Sequence, residues 1–218
     1  MAVVAAPLHW TLPEGKPCAS LLFAHGAGAP MDSDFMETLA SLLAAQQIAV
    51  ARFEFPYMAQ RRHGGSKRPP DRQPVLLAAF AEALAAMPND VPCFIGGKSM
   101  GGRMASVLAS EPGPLPVSVA GVVCFSYPFH PPRRPESLRI AHLPALPVPM
   151  LICQGERDPL GDQGEVAGYH LGEHVMLHWL GDGDHDLKPR KASGLTHAAN
   201  LASAAAAAAA FMGRIAGA

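Results

Sequence analysis

The stretch Gly97-Lys98-Ser99-Met100-Gly101 carries the clearest chemistry in the sequence. It follows the apolar run 91–96 and leads into residues 103–109, which read as a helix. A serine with a glycine two residues to either side, between strand and helix, is the pattern of a nucleophile elbow. The strained turn holds the hydroxyl above the sheet edge. The glycines have a steric reason, because the turn packs backbone so tightly that a Cβ at either place would collide. A serine hydroxyl is a weak nucleophile near neutral pH and needs a neighbouring base. His185, in the loop after the apolar run 175–180, is the candidate to take its proton and return it to the leaving group. Asp158, in the loop after the apolar run 148–153, is the candidate to hold the imidazole in the right tautomer and stabilise its cation. Glu156, Asp184 and Asp186 are the alternative acids. Glu156 comes two residues sooner after its strand, and the two aspartates flank His185 too closely in sequence to orient it easily.

Acyl transfer also requires hydrogen-bond donors for the tetrahedral oxyanion. One is expected from the backbone N–H after the nucleophile, that of Met100, and the other from a loop after an early strand. The run 19–24 reads as that strand, and His25-Gly26-Ala27-Gly28 follows it. The second donor is placed at Ala27, with Gly26 as the alternative. His25 is expected to support the loop by hydrogen bonding rather than act as a base. Phe55, Tyr57, Tyr127 and Phe129 follow strands and are expected to line an acyl or alcohol pocket, with ordinary core packing as the competing reading.

Gly97-Lys98-Ser99 also ends a phosphate-binding P-loop, but that motif needs a glycine where Pro92 stands. The next apolar run ends at Ser126, not at the aspartate such a site would use. His170, His174 and His178 are four apart, yet Gly172 and a strand-like setting for His178 argue against one shared helical face for a metal. Asp182, Asp184 and Asp186 imitate the start of a calcium loop, but Leu187 and Ser193 stand where glycine and glutamate are needed. No metal and no cofactor is therefore expected.

These groups need a scaffold that brings loops together. Strand-like runs lie near 19–24, 48–53, 92–96, 120–125, 149–153 and 175–180, with a further edge strand within 7–13. Helix-like runs lie near 32–46, 73–87, 100–111, 161–171 and 190–213. Continuous apolar strands alternating with helices predict an α/β fold with a mostly parallel sheet of six to seven strands, covered by helices on both faces. Candidate loops then lie at the carboxyl ends of strands, where such sheets place their sites. No repeat or linker divides the chain, so one domain over 1–218 is expected. The proline-rich segment 126–148 has room for a short cap but not for a large lid.

The stretches His25-Gly26-Ala27-Gly28, Phe53-Glu54-Phe55-Pro56-Tyr57, Arg68-Pro69-Pro70-Asp71, Gly97-Lys98-Ser99-Met100-Gly101-Gly102-Arg103, Gly155-Glu156-Arg157-Asp158 and Gly183-Asp184-His185 resemble the α/β-hydrolase superfamily. Within it, the chain resembles small bacterial hydrolases akin to dienelactone hydrolase and the testis-expressed and nonspecific-lethal-complex hydrolase-like proteins. The likeness extends over about residues 19 to 190 and implies an α/β-hydrolase fold with a Ser99-Asp158-His185 triad. Dienelactone hydrolases use a cysteine nucleophile where this chain has Ser99, a departure that speaks against the dienelactone substrate.

The 218 residues, 49% hydrophobic and 16% charged, suffice for one packed core. A net charge of −1 draws the molecule to neither nucleic acid nor an anionic membrane. The one basic cluster, residues 60–68, lacks interleaved aromatics and reads as a solvated loop, or else as a rim attracting anionic substrates. Cys18, Cys93, Cys124 and Cys153 form no C-x-x-C pair, and three sit in core strands, which suggests free thiols in a reducing cytoplasm. Residues 1–7 lack the basic start and apolar length of a signal peptide. No apolar run is expected to reach a membrane span, and the alanine-rich stretch 202–210 reads as part of a helix packed on the sheet. The expectation is a cytoplasmic serine hydrolase acting on a small ester or thioester. The competing reading is a binding or scaffold module that keeps the hydrolase fold without catalysis.

Overall fold

In the computed structural model, which describes residues 7–62, 64–66 and 68–217, seven strands form one sheet. The strands are β1 His9–Thr11, β2 Ala19–Ala24, β3 Ile48–Phe53, β4 Cys93–Lys98, β5 Val119–Phe125, β6 Met150–Gly155 and β7 Val175–Leu180. Their order is β1-β3-β2-β4-β5-β6-β7, with only the edge strand β1 antiparallel. The signal-peptide reading falls on residues 1–7, of which 1–6 lie outside the described residues.

The strands read as unbroken apolar runs because both faces are covered. Leu22, Ala24, Ile95, Val122, Cys124 and Ile152 face one core, packed against α3 (Gln73–Ala85) and α4 (Met100–Ser110). Their neighbours Leu21, Phe23, Phe94, Val123, Phe125 and Leu151 face the other core, under α1 (Asp34–Ala44) and α6 (His197–Ala216). Side chains alternate faces along a strand, so adjacent residues divide between the two cores. In α1 the buried residues Met36, Leu39, Ala40 and Leu43 recur at the spacing of one helical face. In α6 the buried Ala204, Ala205 and Ala208 let the helix lie close to α1 and the sheet, and Phe211 and Met212 fill the far end.

Four expectations shift. Helix α2, Pro56–Arg62, occupies ground read as a strand exit and a solvated basic loop. Pro56 starts it without losing a needed donor, and its single turn of buried residues, Tyr57 and Met58, is too short to show a period. Helix α5 contracts from the expected 161–171 to Gln163–Val166, capped by the Asp162 carboxylate and followed by Gly168. Helix α6 starts at His197 rather than near 190, because Gly194 turns left-handed and Thr196 caps the helix by accepting from the Ala199 N–H. At 20 residues and mean hydropathy 1.2, α6 is long and apolar enough to cross a membrane, contrary to the expectation that no run reaches that length. Its buried alanine face belongs to the core.

The chain enters β2, steps to β3 on one side, then crosses to β4 on the other. The crevice at the carboxyl ends of β2 and β4 is thus the switch point of the sheet. Residues 25–29 leave one of these strands and Ser99 leaves the other.

Candidate active site

Ser99 sits between β4 and α4 at φ 51° and ψ −114°. Such backbone costs about 1–3 kcal/mol and persists only where the surroundings enforce it. Here they do. A Cβ on Gly97 would stand 2.5 Å from the Ala24 carbonyl oxygen, and one on Gly101 equally 2.5 Å from it. The elbow therefore packs directly on the end of β2, and glycine is required at both places.

His185 bridges the other two expected residues. Its Nε2 lies 2.8 Å from Ser99 Oγ and its Nδ1 lies 2.8 Å from Asp158 Oδ2. Asp158 is fully buried, and His185 is half-buried at the mouth of the cavity. The Asp158 carboxylate accepts two bonds besides the one from the imidazole: its Oδ1 takes the Leu160 N–H at 2.9 Å, and its Oδ2 takes the Gln154 side-chain amide at 3.0 Å. The alternatives fall elsewhere. Glu156 accepts the Asp182 N–H at 2.8 Å. Asp184 caps its own turn by accepting from the Asp186 and Lys188 N–H groups. Asp186 pairs with Lys98 at 2.7 Å.

Gln154 was not anticipated from sequence. Its Oε1 accepts the Tyr127 N–H at 2.7 Å, which fixes the amide so that Nε2 faces Asp158. The available signal was an uncharged polar residue inside an otherwise apolar strand, four residues before the acid. Lys98, which the motif reading gave no role, also acts at the site. It is nearly buried, donates to the His185 carbonyl at 2.9 Å, and lies 4.6 Å over the Phe35 ring. It ties the histidine loop to the strand that carries the nucleophile. Burial pushes the Asp186 carboxyl up, but the Lys98 ammonium and the neighbouring His185 and His197 bring it below its ordinary value on balance.

The loop after β2 is held from inside. His25 is fully buried, with Nδ1 2.7 Å from the Gly26 carbonyl oxygen and Nε2 accepting the Phe55 N–H at 3.1 Å. Those partners assign the proton to Nδ1. Burial lowers the imidazole pKa and keeps it neutral, so His25 serves as a brace. The Tyr57 hydroxyl donates to the Gly26 and Ala27 carbonyl oxygens, at 3.3 and 3.0 Å. Burial pushes that phenol up to about 12, so it stays a donor. With the Gly26 carbonyl turned into the core, the planar trans peptide aims the Ala27 N–H the opposite way. Ala27 and Met100 both line the cavity beside Ser99. Further out, Glu54 holds the same loop by accepting from Arg62 at 2.6 Å and from the Met31 N–H at 3.4 Å. That pairing raises Arg62 above its ordinary value, so the basic cluster begins as an ion-paired helix end rather than a free loop; its His63 and Lys67 lie outside the described residues.

Phe55, Tyr57, Tyr127 and Phe129 do not line the cavity. All four are fully buried, and the core-packing alternative describes them. Residues that follow a parallel strand by two or four positions drop back under the loops once those loops fold over the sheet edge. The cavity, about 980 Å³, is instead lined on its apolar side by Phe35, Leu76, Met100, Met104, Pro128 and Leu160. These come from helices and loop ends, where no period separates lining from core. Segment 126–148 supplies a wall through Pro128, Pro132 and Arg139, and no large lid covers the site among the described residues.

The fold is similar to Est1E from Butyrivibrio proteoclasticus, at 12% identity and TM-score 0.71 over 95% of this chain and 93% of that one. It is similar to a dienelactone hydrolase from Anabaena variabilis, at 20% identity and TM-score 0.68 over 93% of this chain and 88% of that one. It is also similar to XC6422 from Xanthomonas campestris, described as an α/β serine hydrolase without lid, at 20% identity and TM-score 0.61 over 83% and 80% of the two chains. At these identities the likeness is one of fold. The family described as "Alpha/beta hydrolase domain" matches residues 17–213, so the chain belongs to the α/β-hydrolase family.

Proposed function

We propose that the chain is a serine hydrolase that cleaves a small ester or thioester through an acyl-enzyme. One observation carries the reading: a single imidazole within 2.8 Å of both a strained serine hydroxyl and a buried carboxylate, at the mouth of a cavity. With its Nδ1–H engaged by Asp158, His185 presents a free Nε2 lone pair to the Ser99 hydroxyl. As Ser99 Oγ attacks the substrate carbonyl carbon, its proton passes to Nε2, and the carbonyl oxygen becomes an oxyanion. The Ala27 and Met100 N–H groups receive that charge, aided by the positive end of α4. Collapse of the intermediate breaks the bond to the leaving alcohol or thiol, which takes the proton from His185. Water then repeats the sequence on the acyl-enzyme and regenerates Ser99.

The four cysteines are free, and burial pushes up the thiols of Cys93, Cys124 and Cys153. This suits a reducing cytoplasm, which forms part of the proposal. The competing scaffold reading has no observation of its own in its favour. Stopped-flow hydrolysis of 4-nitrophenyl acetate through octanoate, beside acyl-CoA thioesters, tests the function. The expected result is turnover of at least one series with a nitrophenolate burst near one per chain, lost in Ser99→Ala. A folded protein with no burst and no turnover on either series would favour the scaffold.

A further inference from the structure

The cavity beside Ser99 contains two guanidinium groups with no counter-charge. Arg103 lies in the first turn of α4, four residues beyond the nucleophile, and Arg139 comes from segment 126–148, both lining the cavity. Four residues along a helix advance about 6 Å, so Arg103 stands within a few bonds' length of the reacting centre. Neither guanidinium forms an ion pair among the described residues. Arg103 bonds only the Gln73 amide oxygen, at 3.1 Å, and its Nε is buried without a partner. Arg139 is anchored by its backbone. Its N–H donates to the Phe129 carbonyl at 2.7 Å, and its own carbonyl accepts the Tyr127 hydroxyl at 2.8 Å. Its position is therefore set by the core beneath it, while its guanidinium stays uncommitted.

The carboxylates around the cavity do not compensate. Asp186 is taken by Lys98, and Asp71 by Arg68 and the Tyr57 N–H. Asp34 is exposed in the first turn of α1. Partial burial, with Arg103 facing it, pulls Arg139 below the ordinary guanidinium value. Two like charges held together in a half-dry cleft repel each other unless an anion sits between them. Planar guanidinium groups are the donors that best match carboxylate and phosphate oxygens.

We infer that Arg103 and Arg139 form an anion subsite, and that the ester or thioester cleaved at Ser99 carries a carboxylate or phosphate group a few bonds from its scissile carbonyl. The inference deepens the serine-hydrolase reading and rests on it for the position of the reacting bond. It assigns the two arginines to substrate selection and leaves the proton transfers to His185.

The test compares kcat/KM within matched pairs. In each pair one member carries an anion and the other carries its neutral methyl ester. One pair places a carboxylate on the acyl side (mono-4-nitrophenyl adipate), one a carboxylate on the alcohol side (4-acetoxybenzoate), and one a phosphate on the alcohol side (4-acetoxyphenyl phosphate). Charge-assisted hydrogen bonds correspond to roughly tenfold to hundredfold in such a ratio. At least one pair is expected to favour the anion tenfold or more at low salt, and less as salt rises. The preferred pair separates a carboxylate from a phosphate source. Arg103→Gln and Arg139→Gln should each cut the preference about tenfold, with partial rescue by lysine. A ratio measured within one preparation does not depend on the fraction of protein correctly folded. Separately, in calorimetry at least one of adipate, 4-hydroxybenzoate and 4-hydroxyphenyl phosphate, the one matching the preferred pair, should bind Ser99→Ala and weaken at least tenfold when Arg139→Gln is added. Turnover of neutral esters with flat ratios that neither arginine moves would overturn the subsite and leave the hydrolase standing. Arginine-dependent binding without any turnover would instead overturn the hydrolase reading and leave the subsite standing.

Discussion

Asp158→Asn puts the largest demand on the geometry with the smallest change of shape. Both carboxylate oxygens of Asp158 face donors: Leu160 N–H on Oδ1, and His185 Nδ1–H with the Gln154 amide on Oδ2. An asparagine supplies one acceptor oxygen and one NH2 group, so one side must meet donor with donor. Gln154 cannot relieve the conflict by flipping, because its Oε1 is committed to the Tyr127 N–H. If the asparagine oxygen faces His185, the tautomer survives, but the imidazolium loses its counter-ion. Losing that charge assistance costs about 1.5–3 kcal/mol, roughly 10- to 150-fold in rate. If the NH2 faces His185, the imidazole must accept at Nδ1 and carry its proton on Nε2, and it can no longer act as base toward Ser99. That outcome costs about 10⁴-fold. Either way a buried donor goes unpaired, costing about 1–3 kcal/mol of stability. The expected result is therefore a fall in kcat/KM of roughly 10- to 10⁴-fold, with a lowered urea midpoint and near-native circular dichroism. Ester hydrolysis measured against pH, beside equilibrium unfolding, reads both numbers. Activity within threefold of the parent protein would refute the role given to Asp158.

Other perturbations follow from the same contacts. Gly97→Ala and Gly101→Ala should each lower stability by about 1–3 kcal/mol or more in urea unfolding, because the added Cβ meets backbone that cannot swing aside; neutral substitutions would contradict the packing of the elbow on β2. Lys98→Met removes the bond to the His185 carbonyl and the pair with Asp186, and is expected to lower kcat about tenfold while leaving KM within twofold. A change confined to KM would show Lys98 acting on substrate rather than on the histidine loop. Burial lowers the pKa of His25, and burial with nearby Arg103 lowers His142 to about 4. Since the unfolded chain then binds more protons than the folded one, stability should rise with pH between about 4 and 6.5. Urea midpoints at pH 5 and 7 should show this, with a shallower slope in His142→Gln; a midpoint higher at pH 5 would reverse the sign.

The elbow was legible in the sequence because its steric demand is local. Glycine at 97 and 101, a strand before and a helix after leave few other turns to build, and Ser99 lands where that pattern puts it. Asp158 and His185 were legible through strand order, since parallel strands deliver successive loops to one edge of the sheet. The aromatic pocket was misread because Phe55 and Tyr127 carry the same apolar signature whether they line a cleft or lie beneath it. Lys98 acts on a loop 87 residues away in chain and Arg139 lines a cavity built from several separate segments, so no local pattern marks either, whereas the only mark on Gln154 was its polarity within an apolar strand. Helix α2 was lost for a related reason: seven residues with two buried side chains show no period.

Whether Ser99 is a nucleophile activated by His185 can be read directly. Incubation with a fluorophosphonate, followed by intact mass and peptide mapping, asks this of the whole protein without assuming a substrate. One adduct per chain is expected on the peptide containing Ser99, absent in Ser99→Ala and slowed by orders of magnitude in His185→Ala. A folded protein that stays unmodified, or one whose adduct persists in Ser99→Ala, would contradict the assignment of Ser99 as nucleophile.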